Sequence, residues 1–189
     1  MTLGATPAFN PKMLSDTVIG DGRVPTREAM YDPGSYDFER GFGYLMADAL
    51  ISGDTESRSE TAPGELAIQR AQLAQVALDK ALRADPGNAH AWAALAWARI
   101  RQGDEGGATD ALNVSWNIAP YNLNLARTRL DLASVLAEFS DLNLEQLDAS
   151  KAGILRDVIV MKDNDEIGYQ FLMETSEALS ILIDQWLAE

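Results

Sequence analysis

Cysteine is absent from this 189-residue chain and histidine occurs once. The first absence excludes disulfides, thiolate nucleophiles and Cys-ligated metals. The second leaves His90 alone to serve any imidazole-dependent catalysis, and no paired nucleophile motif accompanies it. Basic side chains are scarce too. Fifteen Lys and Arg stand against 29 Asp and Glu, a net charge of -14 that repels nucleic-acid phosphates and anionic membrane surfaces. No apolar run approaches the roughly 20 residues that span a bilayer, and the N-terminus lacks the basic and apolar blocks of a signal peptide. The chain as it stands reads as soluble and cytoplasmic, or periplasmic if a signal peptide has been removed. A phosphate-binding glycine loop is missing as well: Gly103 to Gly107 follows a helical run, not a strand, and has no lysine. No enzymatic activity, cofactor, metal, nucleic acid or membrane insertion is expected on these grounds.

What the sequence does have is helical period. Apolar residues are 47% of the chain, enough for one folding unit with a real core. Residues 1–34 carry four of the seven prolines and no sustained period, so they read as an irregular arm. The helical domain, 35–189, begins with a helix that stops at Gly53. A Ser-, Thr- and Glu-rich loop follows, and then a helix over 63–84 with Ala67, Ala71, Ala74, Leu78 and Ala81 on one side. It ends at Asp85-Pro86-Gly87. Helices over 89–102 and 105–118 are separated only by Gly103-Asp104, which forces an antiparallel hairpin. Further helices are predicted over 123–139, 144–161 and from Asp163 to about Trp186, the last opened by a capping box of Asp163 and Glu166. No segment reads as strand, so the fold class is all-α.

Pro86 and Pro120 stand 34 positions apart. Between them, Trp92, Leu95-Ala96, Gly103-Asp104, Ala108, Leu112, Ser115 and Pro120 fall at the offsets that define a tetratricopeptide repeat, and residues 89–122 resemble one. The departure is Arg99, where the family favours tyrosine. Ala74, Leu78, Ala81 and Pro86 repeat the second half one period earlier. One period later, Arg129 stands where leucine belongs and Leu130 where a small residue belongs. The resemblance implies a right-handed α-α superhelix of helical hairpins, with residues about 143–189 as capping helices, since such units do not bury their faces alone. It also implies a concave face, whose inward offsets fall on Arg40 and Tyr44, on His90, Ala93, Trp97 and Arg101, and on Arg127 and Asp131. Three arginines and two aromatics there would suit an acidic or carboxylate-bearing peptide, with Trp97 as an apolar anchor. The lysine and asparagine with which some tetratricopeptide domains clamp a C-terminal carboxylate are replaced by Ala93 and Trp97.

The expected function is a non-enzymatic adaptor or scaffold that holds a protein or peptide partner in this groove. The layout, one clear repeat followed by "NLARTRLDLASVL" and further helices, also looks like small bacterial tetratricopeptide proteins associated with cell-surface polysaccharide production and export. The alternative is a structural self-assembly module, a homodimer formed through the C-terminal helix, whose stripe includes Leu179, Leu182 and Trp186. A calcium loop is a weaker reading of "DNDEIGYQFLME": Asp163, Asp165, Gly168 and Glu174 match loop positions, but Ile167 stands at a ligand position and helix capping explains the same residues.

Overall fold

The computed structural model describes residues 33–52, 63–139 and 144–188, and every regular element among them is an α-helix. The arm, apart from its last two residues, and the loop after Ser52 lie outside the described residues. The chain divides at Gly87 into two compact units.

In the first unit α1 (Pro33–Ser52) packs on α2 (Pro63–Ala84). Phe38, Gly41 and Leu45 recur at i, i+3 and i+7 and are buried, as are Ala67, Ala71, Ala74, Leu78, Ala81 and Leu82 opposite them. Small residues let the two backbones approach. A Cβ on Gly41 would lie 2.8 Å from Leu78 Cγ and 3.0 Å from the Ala74 carbonyl oxygen, so the crossing point tolerates no side chain. Past Ala84, the Asp85 carboxylate accepts the Gly87 amide at 3.0 Å and turns the chain at Pro86.

The second unit opens with the hairpin of α3 (Ala89–Arg101) and α4 (Glu105–Ile118). Asn88 caps α3 by accepting the Ala91 amide at 3.0 Å, and Asp104 caps α4 by accepting that of Gly107 at 3.0 Å. Between them Gly103 has φ +74°, left-handed backbone that an L side chain resists. Two bonds at opposite ends fix the antiparallel pairing. Arg99 Nη1 donates to the Gly107 carbonyl at 2.6 Å beside the turn, and Ser115 Oγ donates to the Ala89 carbonyl at 2.9 Å at the far end. Ala96, Ala108 and Ala111 between them are fully buried. Arg99 therefore replaces the expected aromatic with a side chain that reaches back across the turn.

Next comes α5 (Leu123–Phe139), which packs on α3 through a cluster of Ala89, Ala93 and Leu125. The remaining helices are α6 (Leu144–Ala149), α7 (Lys151–Asn164), α8 (Glu166–Thr175) and α9 (Glu177–Ala188). Helix α7 packs along α5, while α9 packs on α5 and α8.

The structure corrects the sequence reading of this region at three points. The helix expected over 144–161 is broken at Ser150, a buried residue whose hydroxyl donates to Asn113 Oδ1 on α4 at 2.9 Å. The capping box at Asp163 does not form. The buried stripe of Ile154, Asp157, Val158 and Met161 keeps α7 helical past it, and Asp165 is the residue that leaves the helix, accepting the Gly168 amide at 3.0 Å to cap α8. The long last helix is two, separated at Ser176 with φ -126°. Thr175 ends α8 by turning its hydroxyl back on the Phe171 carbonyl at 2.8 Å.

Candidate functional site

Helix α3 is buried along most of its surface, and the side chains that reach solvent fall into stripes. His90, Trp97 and Arg101 are half-buried and follow at i, i+7 and i+11, which places them within a narrow arc of one face. Ala93 does not join them: it is 2% exposed and packed against Leu125. On α5 the corresponding half-exposed stripe holds Asp131, with Thr128 and Val135 one turn to either side. Because Leu125 faces α3, the α3 and α5 stripes lie on neighbouring helices of one unit.

Arg127 lies on the side of α5 away from Leu125. Its Nη1 is 3.8 Å from Oδ2 of Asp165, the residue that caps α8. The cation thus ties α5 to the start of α8. Burial pushes the Asp131 carboxyl up to about 7, against the opposing pull of the Arg127 charge one turn earlier. Near neutral pH the protonated carboxyl, which can donate a hydrogen bond, is therefore favoured far more than in an ordinary aspartate. The His90 imidazole is shifted the other way, below its usual pKa, by burial and then by the Arg129 charge, and is neutral at pH 7. The α3 stripe offers an indole, a guanidinium and an imidazole, and α5 carries a carboxyl shifted up toward neutrality.

Arg40 and Tyr44 belong to the first unit, one turn apart on α1. Arg40 Nη2 donates to the Tyr44 hydroxyl at 3.4 Å, and the guanidinium carbon sits 5.8 Å from the ring centroid. The pair is preformed, which limits the side-chain entropy either would lose on meeting a ligand.

Behind the α5 stripe is a charged network. Arg129 and Asp157 are both 0% exposed and paired in fork geometry: Nη2 to Oδ1 at 2.6 Å and Nε to Oδ2 at 2.8 Å. Trp116 Nε1 donates to the same Oδ2 at 2.6 Å. Arg129 Nη1 then closes on the Ser115 and Ala119 carbonyls at 3.2 and 2.9 Å, the open end of α4. Burial raises the Asp157 pKa, while Arg129 and then Trp116 oppose that rise by bonding its ionised form. One cluster so joins α4, α5 and α7 and fixes the register of α5, on which Asp131 stands. The sequence signal was Arg129 at a leucine offset and Asp157 inside an apolar stripe, two buried polar residues that each require a partner.

Comparison with protein-family models, curated proteins and solved structures yields no match. Among the described residues no three His, Asp or Glu stand close enough to hold a metal ion, and Asp165 of the calcium-like stretch is engaged as a helix cap. No helix among them is long and apolar enough to cross a membrane. The stripe of the C-terminal helix is turned inward. Leu179, Leu182, Ile183 and Trp186 are buried, with Lys151 Nζ 6.0 Å from the Trp186 ring centroid.

Proposed function

We propose that this chain is a non-enzymatic adaptor of the tetratricopeptide kind, a right-handed superhelix of helical hairpins that holds a protein partner on the face formed by α3 and α5. The observation that carries this reading is the half-buried stripe of His90, Trp97 and Arg101 on α3, with half-buried Asp131 on the neighbouring helix α5. A large aromatic and a cation stand on one helix and a titratable acid on the helix packed against it, residue types that make interaction hot spots. Support for the repeat comes from α3 and α4, where the small offsets Ala96 and Ala108 are fully buried at the crossing and Gly103 takes the left-handed turn. Helices α7 to α9 serve as the cap that shields the last hairpin. The partner is an acidic or carboxylate-bearing segment, bound by Arg101 and by the protonated form of Asp131, with Trp97 covered on binding.

The test is affinity capture from lysate and envelope fractions, comparing wild type with a Trp97→Ala, Arg101→Glu double variant of equal helicity. A protein retained by wild type and lost by the variant is the expected result. Identical retention by both would remove the α3 face from consideration.

A further inference from the structure

The outward face of α2 differs from the rest of this acidic molecule. Opposite the buried alanine stripe, Ile68, Leu73 and Val76 are 44%, 49% and 57% exposed. The other exposed positions from 68 to 76 are Gln69 and Gln72, so over about two and a half turns no exposed position carries a charge. Exposed charges resume toward the two ends, and with opposite sign: Glu65 in the first turn, Lys80 and Arg83 toward the last, where half-buried Asp79 stands beside Lys80. Glu65, Gln69, Gln72, Val76, Lys80 and Arg83 follow in steps of three and four, which keeps them on one line along the helix.

We infer that this face is a homotypic interface: two copies of the chain pair through α2, with the helices antiparallel about a two-fold axis between Gln72 and Leu73. The charge layout selects both the occupant and its direction. A parallel pairing would set Glu65 against Glu65 and Lys80 against Lys80. Reversal sets Glu65 of one copy against Lys80 of the other, Gln69 against Val76, and Gln72 against Leu73. A surface complementary to itself only on reversal is the signature of an isologous contact. The net charge of -14 per copy opposes association overall, whereas at this face the centre is aliphatic and amide and the exposed ends are matched. The glutamines supply hydrogen bonds across the seam, and Ile68, Leu73 and Val76 supply the apolar area.

The experiment is sedimentation equilibrium of the full chain from micromolar to millimolar concentration. Four variants are compared at matched helicity: Val76→Glu, Glu65→Lys, Lys80→Glu, and the last two combined. A concentration-dependent monomer–dimer equilibrium is expected for wild type. Val76→Glu should raise the dissociation constant by about tenfold or more, as burying a charge at the centre of a contact does. Each single charge reversal should weaken the dimer, and the combined reversal should restore it, because the end pairs are re-formed with signs exchanged. Monomeric wild type at every concentration overturns the inference, including the case in which residues 1–32 or another protein covers the face. A dimer indifferent to Val76→Glu overturns it, and so do single reversals that weaken a dimer the combined reversal does not recover.

Discussion

At the scale of single residues, the electrostatics of the second unit give two measurable consequences. Arg129 and Asp157 are bonded to each other and wholly buried, so removing one leaves the other as an uncompensated charge. Asp157→Leu, which also strips Trp116 of its acceptor, should cost about 3–5 kcal/mol in urea unfolding. Replacing both, as Arg129→Met with Asp157→Leu, should cost much less than the sum of the two single changes, because no charge is then stranded. Asp131 gives a pH dependence of definite sign. Its folded pKa of about 7 lies above the 3.8 of an ordinary carboxyl, so the folded state holds the extra proton between these values. Its contribution to stability is complete below pH 3.8 and is lost as pH rises through 7. Asp131→Asn copies the protonated form, so its unfolding midpoint, relative to wild type, should climb between pH 4 and pH 8. A flat difference would show that the surroundings of Asp131 do not favour its protonated form. The two cases differ in how they were legible. Counting offsets from the repeat resemblance singles out Asp131, whereas Arg129 and Asp157 each signal a need for a partner but stand 28 positions apart, so no local spacing pairs them.

At the scale of elements, close approach of helices is the quantity to perturb. Gly153 on α7 lies against the indole of Trp116, and a Cβ there would be 2.5 Å from Cδ2 and 2.8 Å from Cγ. The ring is held by its bond to Asp157 and cannot swing away, so Gly153→Ala must push α7 off α4. A loss of about 1–3 kcal/mol in unfolding free energy is expected, although alanine is the better helix former. An unchanged or higher stability would mean that α7 does not dock on Trp116. Past the other end of α7, Asp165→Ala removes the cap of α8 and the partner of Arg127 on α5 together, with a cost of about 1 kcal/mol. Local signals account for what could be read here. Asp85-Pro86, Asn88, Gly103-Asp104 and Asn122 are stops and caps that act within a few residues, and the helices between them start and end within a residue of the expected places. The breaks at Ser150 and Ser176 were not legible. Ser150 is held by Asn113 from 37 positions away, and the cap of α8 depends on how far the buried stripe of α7 carries the helix.

At the scale of the whole molecule, the two units are unequally equipped. The described part of the first is a pair of 20- and 22-residue helices, and among the described residues its buried apolar side chains, apart from Phe38, Leu45, Leu78 and Leu82, are alanines. With so little apolar volume buried between them, these two helices hold each other less firmly than the helices of the second unit do. The second unit buries Trp116, Leu112, Leu125, Leu130, Leu136, Ile154 and Met161 around the Arg129 pair. Opening should therefore be stepwise, with α1 and α2 released at a lower free energy than α4, α5 and α7. Amide hydrogen exchange followed by mass spectrometry reads this directly. In dilute solution the amides of α1 and α2 should exchange well before those of α5, and Gly153→Ala should accelerate the second unit while leaving the first unchanged. Raising the protein concentration should then slow exchange in α2 selectively, because pairing through its outward face draws the weaker hairpin into the folded population by mass action. Exchange in α1 and α2 as slow as in α5 at high dilution would contradict this ordering of the two units. Slow exchange that does not respond to concentration would place the hairpin's support within a single chain.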